Sequence, residues 1–187
     1  MRVLVACEFS GIVREAFRKK GHDAWSCDIL DTEIPGQHIK DDVLKHLNDG
    51  WDLMIAHPPC TYLSRAGARW WHDKERALKA DQAVEFVLQL WDSPINKIAI
   101  ENPIGMLKQR WMPPSQAIEP YWFGEHYRKR TWLWLKNLPP LIATGINTQV
   151  DFWIHSNCRK RKGATSGGLK SAVTFQGIAE AMATQWG

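Results

Sequence analysis

Short apolar runs that end abruptly in polar or turn-forming residues constrain this chain most. Such runs occupy residues 2–7, 51–56 and 97–100, and their length and bounding residues read as buried strands, with the mixed run 23–28 as the second strand in chain order. Helical patterns separate them. Residues 11–20 carry Ile12, Val13, Ala16 and Phe17 on one face, with Ser10 placed to cap the start and Gly21 to end it. A Pro35-Gly36 turn and a short helix at 43–47 follow the second strand. Residues 73–91 repeat apolar side chains at helical spacing from Ala77 to Trp91. Further strands are predicted at 121–123 and 131–135, closed by Pro139-Pro140. Residues 143–171 read mostly as loop and 178–185 as a closing helix. Strands alternating with helices imply an α/β fold whose sheet is mostly parallel, with right-handed crossovers.

In such sheets ligands bind beyond the carboxyl ends of the strands. Here those ends carry Glu8-Phe9-Ser10-Gly11, Asp28, His57-Pro58-Pro59-Cys60 and Glu101-Asn102-Pro103, which should converge on one cleft. Gly11 lets backbone approach a ligand, and the helix start offers free N–H groups to a carboxylate or phosphate; a tight turn explains the glycine about as well. Asp28, roughly twenty residues past that loop, is placed to accept both hydroxyls of a ribose, and Asp42 could meet an adenine amino group. Either acid could equally be a solvated loop residue.

Pro58 and Pro59 fix the backbone ahead of Cys60, and rigid placement is what a nucleophile needs. A thiol at a strand end facing a helix start can be partly thiolate; a structural cysteine in a proline-rich turn is the plainer alternative. Glu101, if buried in the cleft, would have a raised pKa and could donate a proton, or it could cap a helix. Arg128 and Arg130 lead into a strand, where arginines can clamp a phosphate or carbonyl oxygen or lie solvated as a charge pair.

The four cysteines, Cys7, Cys27, Cys60 and Cys158, show no C-x-x-C pair, so neither a disulfide framework nor a metal site is expected. Cys7 and Cys27 fall on predicted strands as small buried side chains. The 187 residues suit one domain, 44% of them apolar and 24% charged. No apolar run approaches the ~20 residues of a membrane span, and the first residues lack a secretory pattern, so a cytoplasmic protein is expected. The net charge of +4 is mild, but basic residues cluster at 128–130 and 159–162, which suits phosphate neutralisation. Some of the 11 tryptophans could stack on bases.

Taken in order, Phe9/Gly11, Asp28, Asp42, Pro59-Cys60, Glu101-Asn102 and Arg128/Arg130 resemble the motifs of the C5-cytosine DNA methyltransferases across residues 2–135. The stretch from Ser171 to Gln185 is similar to that family's C-terminal helix. The resemblance implies a three-layer Rossmann-like, S-adenosylmethionine-dependent methyltransferase fold. It implies Phe9, Gly11, Asp28, Asp42 and Pro58 at the cofactor. It also implies addition of Cys60 to C6 of a pyrimidine, Glu101 at N3, and Arg130 with Arg128 at the carbonyl O2, on a base taken out of the helix stack. Asn102 would lie at the substrate.

The sequence departs from the family at Ile12-Val13 after Gly11, at Thr61 after the cysteine, and at Pro103. It departs most in size. Residues 136–170 form a short basic loop region where the family inserts a target-recognition domain, so residues 1–187 read as one catalytic domain. The segment from Tyr62 to His72, with Arg65, Arg69, Trp70 and Trp71, is a candidate substrate wall. Compactness of this kind fits a phage-like accessory enzyme. DNA is the expected partner, with RNA, a nucleotide, or a binding-only module of the same fold as alternatives.

Overall fold

The computed structural model describes residues 1–65, 73–152 and 173–187. In chain order they form β1 (Arg2–Ala6), α1 (Ile12–Lys19), β2 (Asp23–Asp28), β3 (His38–Lys40), β4 (Leu53–Ala56), α2 (Lys74–Trp91) and β5 (Lys97–Pro103). There follow α3 (Leu107–Arg110), β6 (Gln116–Ile118), β7 (Tyr127–Arg128), β8 (Thr131–Lys136), β9 (Asp151–Phe152) and α4 (Gln176–Gln185). Single 3₁₀ turns lie at Val43–His46 and Pro120–Trp122.

One sheet has the order β3-β2-β1-β4-β5-β8-β6. Neighbours from β3 to β5 pair in parallel, and β8 runs antiparallel to both β5 and β6. The chain reverses its direction of travel across the sheet between β1 and β4. That reversal opens a crevice at the carboxyl ends of both strands, the usual ligand position in a doubly wound sheet. β7 and β9 form a separate parallel pair.

Strand alternation explains the three layers. Val3, Val5, Leu53 and Ile55 face one side and pack with Val13 and Phe17 of α1 and Ile178 and Met182 of α4. Leu4, Ala6, Met54 and Ala56 face the other and pack with Val84, Val87 and Leu90 of α2. These eight strand residues are completely buried, which is why β1 and β4 read as unbroken apolar runs rather than alternating ones. Each fully buried Val, Leu or Phe contributes about 1.5–3 kcal/mol, so the two faces hold the crevice on a rigid base. Among the described residues, no helix is long and apolar enough to cross a membrane.

The start of α1 differs from expectation. Its N-cap is Gly11, in the left-handed region at φ 78°. The Ser10 hydroxyl accepts from the Ile12 N–H at 3.3 Å and donates to Glu8 Oε1 at 3.3 Å. The Glu8 carboxylate does most of the capping, accepting from Val13 N at 2.6 Å and Arg14 N at 3.2 Å. The strand expected at 121–123 is a 3₁₀ turn, because Pro120 presets its first residue for a turn. The strand lies earlier, at Gln116–Ile118. The short helix at 43–47 is a 3₁₀ turn capped by Asp42. β5 continues past residue 100 to Pro103 because β8 pairs with it along its whole exit.

Candidate active site

His57 continues the ladder of β4 by donating its N–H to Ala6 O at 2.9 Å. Pro58 and Pro59 have no N–H to continue it, so the chain leaves the sheet there. Asn102, buried on β5, donates its side-chain amide to Pro58 O at 2.9 Å and fastens this exit to the neighbouring strand. Cys60 then opens a tight turn, its carbonyl accepting from Leu63 N at 3.1 Å and Ser64 N at 2.9 Å. Ser64 bridges to Gly105, and Met106 N donates to Leu63 O at 2.9 Å. A Cβ on Gly105 would overlap the Leu63 carbonyl, so only glycine permits this approach. Gly105→Ala is expected to cost about 1–3 kcal/mol, read from urea unfolding, and to lower the solvent protection of Cys60. An unchanged unfolding midpoint would contradict the packing described.

Cys60 and Glu101 line one cavity of about 80 Å³ beyond the carboxyl ends of β4 and β5, together with His57, Lys129, Thr131 and Phe175. Glu101 is held from two sides. His57 Nδ1 lies 3.4 Å from its Oε2, and the Thr131 hydroxyl donates to its Oε1. Burial pushes the Glu101 carboxyl up. The His57 contact, the Lys129 charge and the Thr131 hydroxyl outweigh burial and hold it below the ordinary carboxylate range. The expectation of a raised Glu101 is therefore corrected, and the resting side chain is a carboxylate.

Cys60 also departs from expectation. Burial pushes its thiol up, the Glu101 charge adds to that, and the Lys129 ammonium opposes it. The helix that follows it in the chain, α2, begins only at Lys74, capped by Asp73. The resting group is a thiol. His57 Nε2 and Asn102 Oδ1 are buried without a hydrogen-bond partner among the described residues.

The ends of β1 and β2 form the other half of the crevice. Gly11 makes room for Arg14, whose Nη2 would lie 2.6 Å from a Cβ there. The Arg14 guanidinium is buried and donates to Ser26 Oγ at 2.9 Å and Ile34 O at 2.5 Å. Phe9 is buried, and its carbonyl accepts from Glu33 N at 2.8 Å. The helix start that could have met an anion already holds Glu8. Asp28 accepts from Leu30 N at 2.9 Å and Asp42 from Leu44 N at 3.0 Å. Burial pushes the Cys27 thiol up to about 12, helped by the charges of Asp28, Asp41 and Asp42. Burial raises Cys7 as well, with Asp28 and Asp42 adding to it. Asp28 and Asp42 therefore converge on one small region, and its two thiols stay protonated. Ile29, beside Asp28, is 72% exposed.

Of the remaining residues singled out in the sequence, Arg128 lies over the Tyr121 ring at 5.5 Å, and Arg130 Nε donates to Glu119 Oε1 at 3.2 Å. Neither lines the cavity, and Asn102 lies behind it. Arg69, Trp70, Trp71, Cys158 and the basic run 159–162 lie outside the described residues. The sequence reading gave Lys129 only a place in the basic cluster 128–130, put Glu8 and His57 at strand ends without a chemical role, and singled out neither Thr131 nor Phe175. Lys129 and Thr131 share one face of an extended segment, but alternation alone does not say whether that face or the one carrying Arg128 and Arg130 meets the cleft. Nothing local in the sequence marks Phe175.

No family model matches the chain, and no curated protein does. Among solved structures, it is similar to a candidate DNA modification methyltransferase encoded within a prophage, from E. coli. That match has a TM-score of 0.50 and 14% identity, covering 88% of this chain and 56% of the other. An rRNA methylase from Escherichia coli gives a TM-score of 0.38 and 15% identity, covering 72% of this chain and 56% of the other. This chain thus spans little more than half the length of either. The strand order, the single antiparallel β8 and the first of these likenesses define a Rossmann-like methyltransferase fold.

Proposed function

We propose that this chain is the catalytic domain of a methyltransferase acting on nucleic acid, one that moves a methyl group from S-adenosylmethionine to C5 of cytosine in DNA through a covalent Cys60 adduct. The observation that carries this reading is the meeting of Cys60 and Glu101 in one small cavity at the carboxyl ends of adjacent strands of a methyltransferase fold.

The residues at the β1 and β2 ends suit the cofactor. Asp28 and Asp42 supply carboxylates for ribose hydroxyls and an amino group, and exposed Ile29 offers an apolar face beside Asp28. Phe9, Gly11 and Pro58 would shape the floor between them. When bound there, S-adenosylmethionine supplies an electrophilic methyl group.

C5 of a pyrimidine is a poor nucleophile until C6 carries an added group. A bond forms from the Cys60 sulfur to C6 as the S–H bond breaks. Glu101, ionised at rest, takes that proton and delivers it to N3, so electron density collects at C5. A carbon–carbon bond at C5 would form as the donor's S–CH₃ bond breaks, leaving S-adenosylhomocysteine, and the C5 proton then leaves to solvent. The S–C6 bond then breaks, and the N3 proton returns by way of Glu101 to Cys60. The net change is one C–H replaced by C–CH₃, with one proton released.

The experiment supplies methyl-labelled S-adenosylmethionine together with duplex DNA, single-stranded DNA, RNA or free nucleotides, and locates the label on the base. Label at C5 of cytosine in DNA is the expected outcome. Label in RNA or nucleotides would move the substrate and keep the chemistry. Cofactor binding without transfer to any of them would leave a binding module and overturn the proposal. Asp28→Ala is expected to weaken cofactor binding by roughly tenfold or more, the scale of losing hydrogen bonds to a charged group. Titration calorimetry on the free protein reads this. Unchanged affinity would remove Asp28 from the cofactor site.

A further inference from the structure

We propose that Lys129, rather than Arg128 or Arg130, is the catalytic cation of this site, facing the Cys60 sulfur and, on the pyrimidine reading above, the carbonyl oxygen of the bound base.

The geometry follows from alternation along the segment that leads into β8. Lys129 and Thr131 lie two residues apart and both line the cavity that holds Cys60 and Glu101. Arg128 and Arg130 point elsewhere and are engaged there. The Arg128 guanidinium sits over Tyr121, and Arg130 pairs with Glu119 at 3.2 Å with its side chain 57% exposed. The Lys129 ammonium lies 5.6 Å over the ring of Phe175, another residue of the cavity wall. An ammonium on the wall of a small, largely apolar cavity acts more strongly than one in water.

The charges facing Cys60 come from every side of the cavity. Glu101 on β5 opposes thiolate formation, and the Lys129 ammonium favours it. His57, at the exit of β4, is directed to Glu101. From α2, Arg76 donates to Thr61 O at 2.8 Å, behind the turn. The described wall segment 173–175 carries no charge. Among the described residues, Lys129 is thus the ammonium that offsets Glu101 when the Cys60 proton moves. It keeps its own three protons throughout, so no further proton acceptor is required. Its compact charge would then stabilise the negative charge that gathers on the pyrimidine O2 as sulfur adds to C6.

The test reads Cys60 directly and does not need methyl transfer. Carboxamidomethylation of Cys60 by iodoacetamide is followed against pH by mass spectrometry of its peptide. The proteins are wild type, Lys129→Met, Lys129→Gln, Lys129→Arg, Arg128→Gln and Arg130→Gln. Each is checked for an unchanged near-ultraviolet circular dichroism spectrum. Lys129→Met and Lys129→Gln are expected to slow the reaction at pH 8 by about tenfold, one unit of thiol titration, with Lys129→Arg restoring most of the rate. Arg128→Gln and Arg130→Gln are expected to leave it unchanged. A wild-type profile in both neutral Lys129 variants, or a slowing confined to Arg130→Gln, overturns the proposal. A parallel arm follows covalent capture of a 5-fluorocytosine oligonucleotide, which Lys129→Met is expected to slow by about tenfold or more. A shifted alkylation profile with no capture by wild type would overturn the pyrimidine reading and leave Lys129 as the cation of the Cys60 site.

Discussion

Replacing Cys60 with serine is expected to lower methyl transfer by on the order of 10³-fold or more, as removal of a covalent nucleophile does, with little change in stability. The sulfur is half-buried at the mouth of the cavity and holds its turn through its backbone carbonyl, which serine retains. A serine hydroxyl is a far weaker acid, and the Glu101 carboxylate cannot take its proton as it takes the thiol's. The change is therefore expected within ~0.5 kcal/mol in urea unfolding while the steady-state rate collapses. A Cys60→Ser protein retaining a tenth of the wild-type rate would show that another group attacks the base.

Glu101→Gln is expected to lower kcat by about 10²–10⁴-fold, the range for a positioned proton-transfer group. The same change removes the charge that raises the Cys60 thiol, so Cys60 should alkylate faster at pH 8 in the variant. Lower turnover with a more reactive cysteine is a pattern that simple disruption of the site would not give. Stability against pH follows from the direction of the Glu101 shift. Its folded-state carboxyl lies below the ordinary range, so the ionised form favours folding at neutral pH. That contribution is present above the unfolded-state pKa and is lost as pH falls through the folded one. The difference in urea midpoint between wild type and Glu101→Gln should therefore persist from pH 7 down to about 4.5 and close only as pH falls below that. A gap that stayed constant there would mean that Glu101 is not held ionised by His57, Lys129 and Thr131.

The sheet was legible because β1, β4 and the first half of β5 are buried on both faces and announce themselves as apolar runs. β3 was not, since its three residues are only half covered and carry no pattern. The aromatic cluster at 121–123 looked like a strand, and Pro120 turned it. At the site, sequence order could bring His57-Pro58-Pro59-Cys60 and Glu101 to adjacent strand ends, because topology alone does that. It could not give their protonation. The ionised Glu101 depends on His57 and on Thr131, which reaches it only through the antiparallel pairing of β8 with β5. It could not separate Lys129 from its arginine neighbours without knowing where the extended segment begins. Nor could it foresee that Glu8 would occupy the start of α1, since a carboxylate three residues ahead of the N-cap gives no pattern that a capping rule recognises.

The covalent step is tested most directly by incubating the protein and S-adenosylmethionine with an oligonucleotide carrying 5-fluorocytosine. Fluorine at C5 cannot leave as a proton does, so an adduct formed through C6 persists. The expected product is a denaturation-resistant complex whose peptide map places the nucleotide on Cys60, absent in Cys60→Ser. An adduct on any other residue, or one that survives in Cys60→Ser, would contradict the assignment of Cys60 as nucleophile.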